Sequence, residues 1–243
     1  MSQRVIVYGD IHGCLKEFKK LREKIKPTKN DIEISTGDFI NKGFHSIKVL
    51  RYIEKNNILS VRGNNEDKIV KGYEKYKKEG KKAISNLRAD EIALIKEISK
   101  RDYHYLKSLP FYLKINNLTV VHAGIPLGVK LKKNMSEKDK KSLTLLRFYN
   151  KDLVPIPYRD KENRYKFWSE LYDGREGFVV FGHHPFPKPK IDKYAIGIDT
   201  GCVYGGKLSA VVFKMKNEKV DTKKYKIYQE KSSKNYWHIV CSR

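Results

Sequence analysis

The sequence predicts an α/β fold in a single domain. The first third of the chain alternates short apolar runs with segments of helical periodicity. Glycine-flanked polar motifs recur just after the apolar runs, where α/β folds place their ligands. A length of 243 residues fits one domain, or one domain with a small appendage.

Residues 5–8 form the first apolar run. Leu15, Phe18, Leu21 and Ile25 then recur at helical spacing until Pro27 stops the helix. Ile32 and Ile34 mark a second strand, Ile47, Leu50 and Ile53 a second helix, and residues 58–61 a third strand. This βαβαβ order predicts a parallel sheet with helices on its faces. Residues 66–110 read as helices, with Ile92, Leu94, Ile95 and Ile98 among their apolar positions, up to Pro110. Residues 111–115 and 118–121 flank Asn116-Asn117, a hairpin signal. Residues 124–175 are polar and loop-rich, with weak helical pieces near 143–148 and 165–171. Strands return at 178–181, 194–198 and 208–213. From about 215 to 243 the chain reads as a Lys-rich extension, with an edge hairpin expected within 220–228. No internal repeat or domain boundary divides residues 1–243.

A composition of 40% hydrophobic and 12% aromatic residues supports a sizeable core and argues against disorder. No apolar run approaches the roughly 20 residues that span a bilayer. The N-terminus lacks the long apolar stretch of a signal peptide, so a cytoplasmic protein without a membrane partner is expected. Cys14, Cys202 and Cys241 are few, odd in number and far apart, which fits ordinary thiols in a reducing compartment. Cys14 adjoins a polar motif and is open to oxidation or metallation. The formal charge of +24 attracts polyanions such as nucleotides, polyphosphate or RNA. A Lys-rich composition bias or a thermophilic surface gives the same count.

Five motifs follow predicted strands. Gly9-Asp10-Ile11-His12-Gly13 follows the first, Gly37-Asp38 the second and Gly63-Asn64 the third. Val121-His122-Ala123-Gly124 closes the fourth, and Gly182-His183 follows 178–181. Asp, His and Asn side chains are oxygen and nitrogen donors that suit Mn²⁺, Fe, Zn²⁺ or Co²⁺ better than calcium or copper. The pattern fits two divalent metal ions. Asp38 can bridge them, while Asp10 and His12 hold one and Asn64, His122 and His183 the other. Two such ions, about 3.5–4 Å apart, make a bridging hydroxide available for in-line attack on phosphorus.

The order GDIHG, GDFINKG, RGNNED, VHAG, FGHHP resembles the calcineurin-like metallophosphoesterases of the PPP superfamily, over nearly the whole chain. Asn41-Lys42-Gly43, where phosphoprotein phosphatases carry Asp-Arg-Gly, is similar to the ApaH-like branch. So are the stretches around Leu145-Leu146-Arg147, from Phe167 to Tyr172, and from Ile198 to Leu208. The resemblance implies a four-layer α/β/β/α sandwich. It places metal ligands at Asp10, His12, Asp38, Asn64, His122 and His183, and phosphate-neutralising cations at Lys42 and Arg147. Glu66 is expected to orient its loop, and Gly205-Gly206 with Tyr204 to form a loop near the metals.

One departure stands out. The family motif Gly-Asn-His-Glu (or -Asp) reads Gly63-Asn64-Asn65-Glu66 here, so Asn65 occupies the position of the general acid. An amide cannot surrender a proton, and general acid catalysis typically contributes ~10²–10⁴-fold. Slow turnover is therefore expected. Three origins remain open: an engineered substrate trap, an enzyme whose leaving groups need no protonation, or a protein that binds without cutting.

The leading expectation is hydrolysis of a phosphoanhydride in a dinucleoside polyphosphate, in inorganic polyphosphate or at the 5′ end of RNA. The alternatives are a Ser/Thr phosphoprotein phosphatase and a catalytically silent binder of RNA or polyphosphate. For the binder, the basic stretches 71–82, 130–141 and 214–234 offer interleaved Tyr73, Tyr76, Tyr225 and Tyr228 for stacking.

Overall fold

The computed structural model describes residues 3–241. Met1, Ser2, Ser242, Arg243 and the side chain of Cys241 lie outside the described residues. The chain begins with β1 (Arg4–Tyr8), α1 (Leu15–Ile25), β2 (Ile32–Ser35), α2 (Ser46–Lys55) and β3 (Leu59–Ser60). The three strands pair in parallel in sequence order. Helices α3 (Asn64–Glu79), α4 (Ala89–Glu97) and α5 (Lys100–Ser108) follow, then the antiparallel hairpin of β4 (Tyr112–Ile115) and β5 (Leu118–Val121).

Beyond α6 (Glu137–Leu145), the stretch read as loop with weak helices builds a small antiparallel sheet. It comprises β6 (Phe148–Tyr149), β7 (Pro155–Ile156) and β8 (Lys166–Phe167), and only the one-turn α7 (Trp168–Leu171) is helical. The main strands resume with β9 (Phe178–Phe181), β10 (Lys190–Ile191), β11 (Ala195–Gly197) and β12 (Asp199–Thr200). They end in β13 (Lys207–Lys216) and β14 (Lys219–Lys231), followed by α8 (Tyr236–Cys241). The hairpin expected within 220–228 is instead one long strand, β14, paired along β13.

Two sheets form the body. One runs β12-β13-β1-β2-β3, with β14 outside β13; the other runs β10-β11-β9-β5-β4. Alternation along the strands explains how they stack. Val5 and Val7 of β1 point into a core shared with Val120, Val180, Ile196 and Val211, which joins the two sheets. Ile6 and Tyr8 point the other way, onto Phe18 and Leu21 of α1 and Leu50 of α2. The far side of the second sheet packs Val179 and Phe181 against Leu143 and Trp168. Helix, sheet, sheet and helix make the four layers. No helix among the described residues is long and apolar enough to cross a membrane. Cys14 and Cys202, distant in sequence, are buried neighbours with free thiols.

Candidate metal centre

The turns after the main strands open at one edge of the sandwich. There the chain turns so tightly that five of the eleven non-glycine residues with positive φ, among the described residues, lie in these turns: His12, Asp38, Asn41, Lys42 and His183. Such backbone is costly and gathers at functional sites. Gly182 permits a close approach, since a Cβ there would collide with Asp10 Oδ1. The His183 N–H donates to that carboxylate at 3.1 Å, and Thr36 Oγ1 donates to it at 3.2 Å.

The structure brings together all nine residues singled out for the site. Asp10, His12 and Asp38 form one buried triad and Asp38, His122 and His183 a second, with Asp38 common to both. Hydrogen bonding shows that both triads fit cations. His12 places Nδ1 3.1 Å from the Ile40 carbonyl, and His122 places Nδ1 2.8 Å from that of Thr36. A carbonyl only accepts, so each ring carries its hydrogen on Nδ1 and turns a bare Nε2 inward. His122 Nε2 then faces two further acceptors, Asn64 Oδ1 at 3.0 Å and Asp38 Oδ1 at 3.5 Å. His12 Nε2 faces Asp38 Oδ2 at 3.6 Å and Asp10 Oδ2 at 3.8 Å, with the Lys42 ammonium 3.1 Å away. His183 brings Nδ1, not Nε2, to the second triad, 3.1 Å from His122 Nε2, while its Nε2 is buried without a partner. Lone pairs converging at these spacings match ligands on metal bonds of about 2.0–2.2 Å.

Burial pushes the His12 pKa down to about 3 and lowers His122 and His183 as well, so the three imidazoles are neutral and ready to ligate. Burial works against the charge on Asp38, yet it lies below the usual carboxylate range; with the histidines neutral, the Lys42 ammonium and the Asn65 N–H are the groups that favour its charge. Asp10 is raised well above that range by burial and by the neighbouring carboxylates of Asp199 and Asp38.

Asn65 lies against the shared carboxylate. Its N–H donates to Asp38 Oδ1 at 2.9 Å and its Nδ2 donates to Asp38 Oδ2. Its Oδ1 accepts from Asn41 Nδ2 at 2.8 Å. Below it, Glu66 takes hydrogen bonds from the amides of Gly63, Asp38, Phe39 and Ile40 and fixes the loop that carries Asp38.

Over the metal-facing groups opens a cleft of ≈ 350 Å³. Lys42 and Arg147 both reach it; Arg147 is largely buried, its Nε unpartnered and its Nη2 3.4 Å from the His183 carbonyl. Sequence reasoning gave no site role to three contributors to this cleft: Asp199, Tyr158 and His184. Asp199, raised to about 6 chiefly by burial, follows β11 in Ile198-Asp199-Thr200-Gly201, the same strand-end grammar as Asp10 and Asp38. Tyr158 carried no comparable signal, because its place depends on the small sheet. By contrast, the tyrosines of the basic stretches serve the core. Tyr73 is buried and stacked on Tyr103, Tyr76 and Tyr228 pack against the helical core, and Tyr225 packs between the sheets.

A family model described as calcineurin-like phosphoesterase matches residues 3–221. The asymmetrical bis(5'-nucleosyl)-tetraphosphatase PrpE of Oceanobacillus iheyensis is 28% identical over 229 residues, covering 86% of this chain and 88% of that protein. The protein of the same name from Bacillus subtilis is 29% identical over 233 residues, covering 85% and 89%. Among solved structures, one of a protein proposed as a diadenosine tetraphosphatase superposes with a TM-score of 0.76 at 26% identity, covering 96% of this chain and 95% of that one. The chain belongs to the calcineurin-like phosphoesterase family and is a metal-dependent phosphohydrolase with a dinuclear site for divalent ions.

Proposed function

We propose that the protein hydrolyses a phosphoanhydride bond of a dinucleoside polyphosphate, cleaving a tetraphosphate asymmetrically as the names of its relatives state for them. The observation that carries this reading is the amide at position 65. Its Nδ2 and Oδ1 are both engaged, by Asp38 and Asn41, and it has no proton to give. A phosphoserine or phosphothreonine ester leaves as an alkoxide and needs that proton. A nucleotide leaving through a phosphate oxygen does not, because phosphate stabilises its own negative charge. The site therefore suits an anhydride and disfavours the phosphoprotein substrate.

Asp10, His12, Asp38, Asn64, His122 and His183 would hold two divalent ions, with Mn²⁺ the first to test on this mixed oxygen and nitrogen donor set. When bound, the ions supply Lewis acidity and an activated water. The chain's own groups do the rest. Asp38 spans both halves of the site and keeps them in register. Lys42, beside His12, and Arg147, beside His183, line the cleft and neutralise phosphate oxygens. Inorganic polyphosphate and RNA 5′ ends present the same anhydride and are the competing substrates.

The contact between Asn41 and Asn65 also bears on the origin of the departure. Two touching amides that satisfy each other read as a matched natural pair, and a single engineered change at position 65 does not account for position 41. The test compares turnover of diadenosine tetraphosphate, tripolyphosphate, 5′-triphosphorylated RNA and a phosphoserine peptide by the unaltered chain with Mn²⁺. Anhydrides are expected to exceed the peptide by at least ~10²-fold. Faster turnover of the peptide than of every anhydride overturns the reading.

A further inference from the structure

We propose, resting on the phosphoanhydride reading above, that Tyr204 and Tyr158 are two nucleobase platforms, one at each end of the phosphate cleft. The preferred ligand then carries a nucleoside at both ends of its phosphate chain, which separates it from inorganic polyphosphate and from an RNA 5′ end.

The shared carboxylate Asp38 gives the site an axis, with Asp10 and His12 toward one end and His122 and His183 toward the other. Tyr204 flanks the first end. Lys42 Nζ lies 3.1 Å from His12 Nε2 and 5.3 Å from the centroid of the Tyr204 ring. Tyr158 flanks the second. Arg147 reaches the His183 carbonyl with Nη2 and sets Cζ 4.7 Å from the centroid of the Tyr158 ring. A phosphate chain lying between Lys42 and Arg147 thus runs from one aromatic ring to the other.

Both rings remain open to solvent, Tyr204 at 38% and Tyr158 at 52% of full exposure, whereas most other large apolar side chains near the site are buried. Neither is loosely held. The Tyr204 N–H donates to the Gly201 carbonyl at 3.0 Å, and its backbone bridges to Asn235 beside α8. At Tyr158, the Arg164 guanidinium has Cζ 4.5 Å from the Phe148 centroid and 4.9 Å from the Tyr158 centroid, and its Nη2 donates to the Tyr158 carbonyl at 2.6 Å. Rigid, exposed aromatic rings beside cations are a stacking surface for bases. Stacking uses the π face that every base has, so the platforms select for a nucleoside without choosing the base.

The test is equilibrium binding of the non-hydrolysable, methylene-bridged analogues of diadenosine tetraphosphate, ATP and inorganic tripolyphosphate to the full chain with Mn²⁺ present. The proteins compared are the unaltered chain, Tyr158→Ala, Tyr204→Ala, the double Ala variant and Tyr158→Phe. Each single Ala change is expected to lower the ratio of diadenosine tetraphosphate to tripolyphosphate affinity by roughly tenfold. The double change should abolish the preference for the two-ended ligand over ATP, and Tyr158→Phe should keep the ratio. An unchanged ratio in both Ala variants overturns the proposal. So does an equal loss for all three ligands, which would make the rings mere props for Lys42 and Arg147. Binding is read without turnover, so a chain that binds selectively yet cleaves no anhydride defeats the phosphoanhydride reading and leaves the platforms standing.

Discussion

Asn65 divides its amide between two neighbours, Asp38 on one side and Asn41 on the other. Phosphoprotein phosphatases carry histidine and aspartate at these positions, and the geometry puts the two side chains in contact. A histidine at 65 would find an uncharged amide at 41, and a carboxylate there would both orient the ring and favour its protonated form. Asn65→His is therefore expected to raise turnover of a phosphomonoester with Mn²⁺ by at least about tenfold, and Asn41→Asp with Asn65→His by more than the separate effects combined. An acid must be protonated to act, so the new activity should fall as pH rises through the histidine pKa. That fall should come at higher pH in the double variant, because the carboxylate raises the pKa. Steady-state rates across pH 5 to 9 check both statements, and no change in rate for either variant removes position 65 from the chemistry. At this scale the sequence was highly legible. Each candidate ligand stands next to a glycine or a strand end, and that local grammar survives without knowledge of the fold.

Among the elements, α3 shows how a helix start can hold a site together. Glu66, in its first turn, accepts the Gly63 N–H as a cap and also the amides of Asp38, Phe39 and Ile40 from the loop after β2. Four donors converge on one buried carboxylate, an arrangement that glutamine cannot reproduce because its Nε2 would face N–H groups. Glu66→Gln is expected to destabilise the fold by about 2–3 kcal/mol and to weaken divalent metal uptake with it. Urea unfolding alongside metal titration reads both, and unchanged metal affinity would confine Glu66 to a structural part. The elements that escaped the sequence have physical reasons for doing so. Strands of two residues, such as β6, β7 and β8, are too short to show a period. In β14, lysines at Lys219, Lys223, Lys224, Lys226 and Lys231 mask the inward residues Val220 and Ile227, because long charged stems line an exposed edge while their neighbours pack inward.

For the molecule as a whole, a net charge of +24 surrounds a cleft whose own cations already await phosphate. The surrounding field accelerates encounter with a polyanion, whereas the half-buried Lys42 and Arg147, in the role proposed for them, act after contact and are screened less. Raising ionic strength from about 50 to 500 mM should therefore lower kcat/KM for diadenosine tetraphosphate severalfold and leave kcat nearly unchanged. Stopped-flow or steady-state kinetics across salt separates the two constants. A flat kcat/KM would mean that the basic surface plays no part in substrate capture.

By itself, the order of residues determined that the chain is α/β, which side chains are the candidate cation ligands, and that position 65 carries no titratable acid. Those properties follow from local periodicity and from donor chemistry, both of which are written in short stretches. Tertiary structure decided that β13 pairs with β1, that Asn41 touches Asn65, and that Tyr158 meets Arg147 across the small sheet from outside any motif. The first two contacts join residues far apart in the chain and the third depends on the pairing of β6 with β7, so their energies come from packing and hydrogen bonding that residue patterns do not contain.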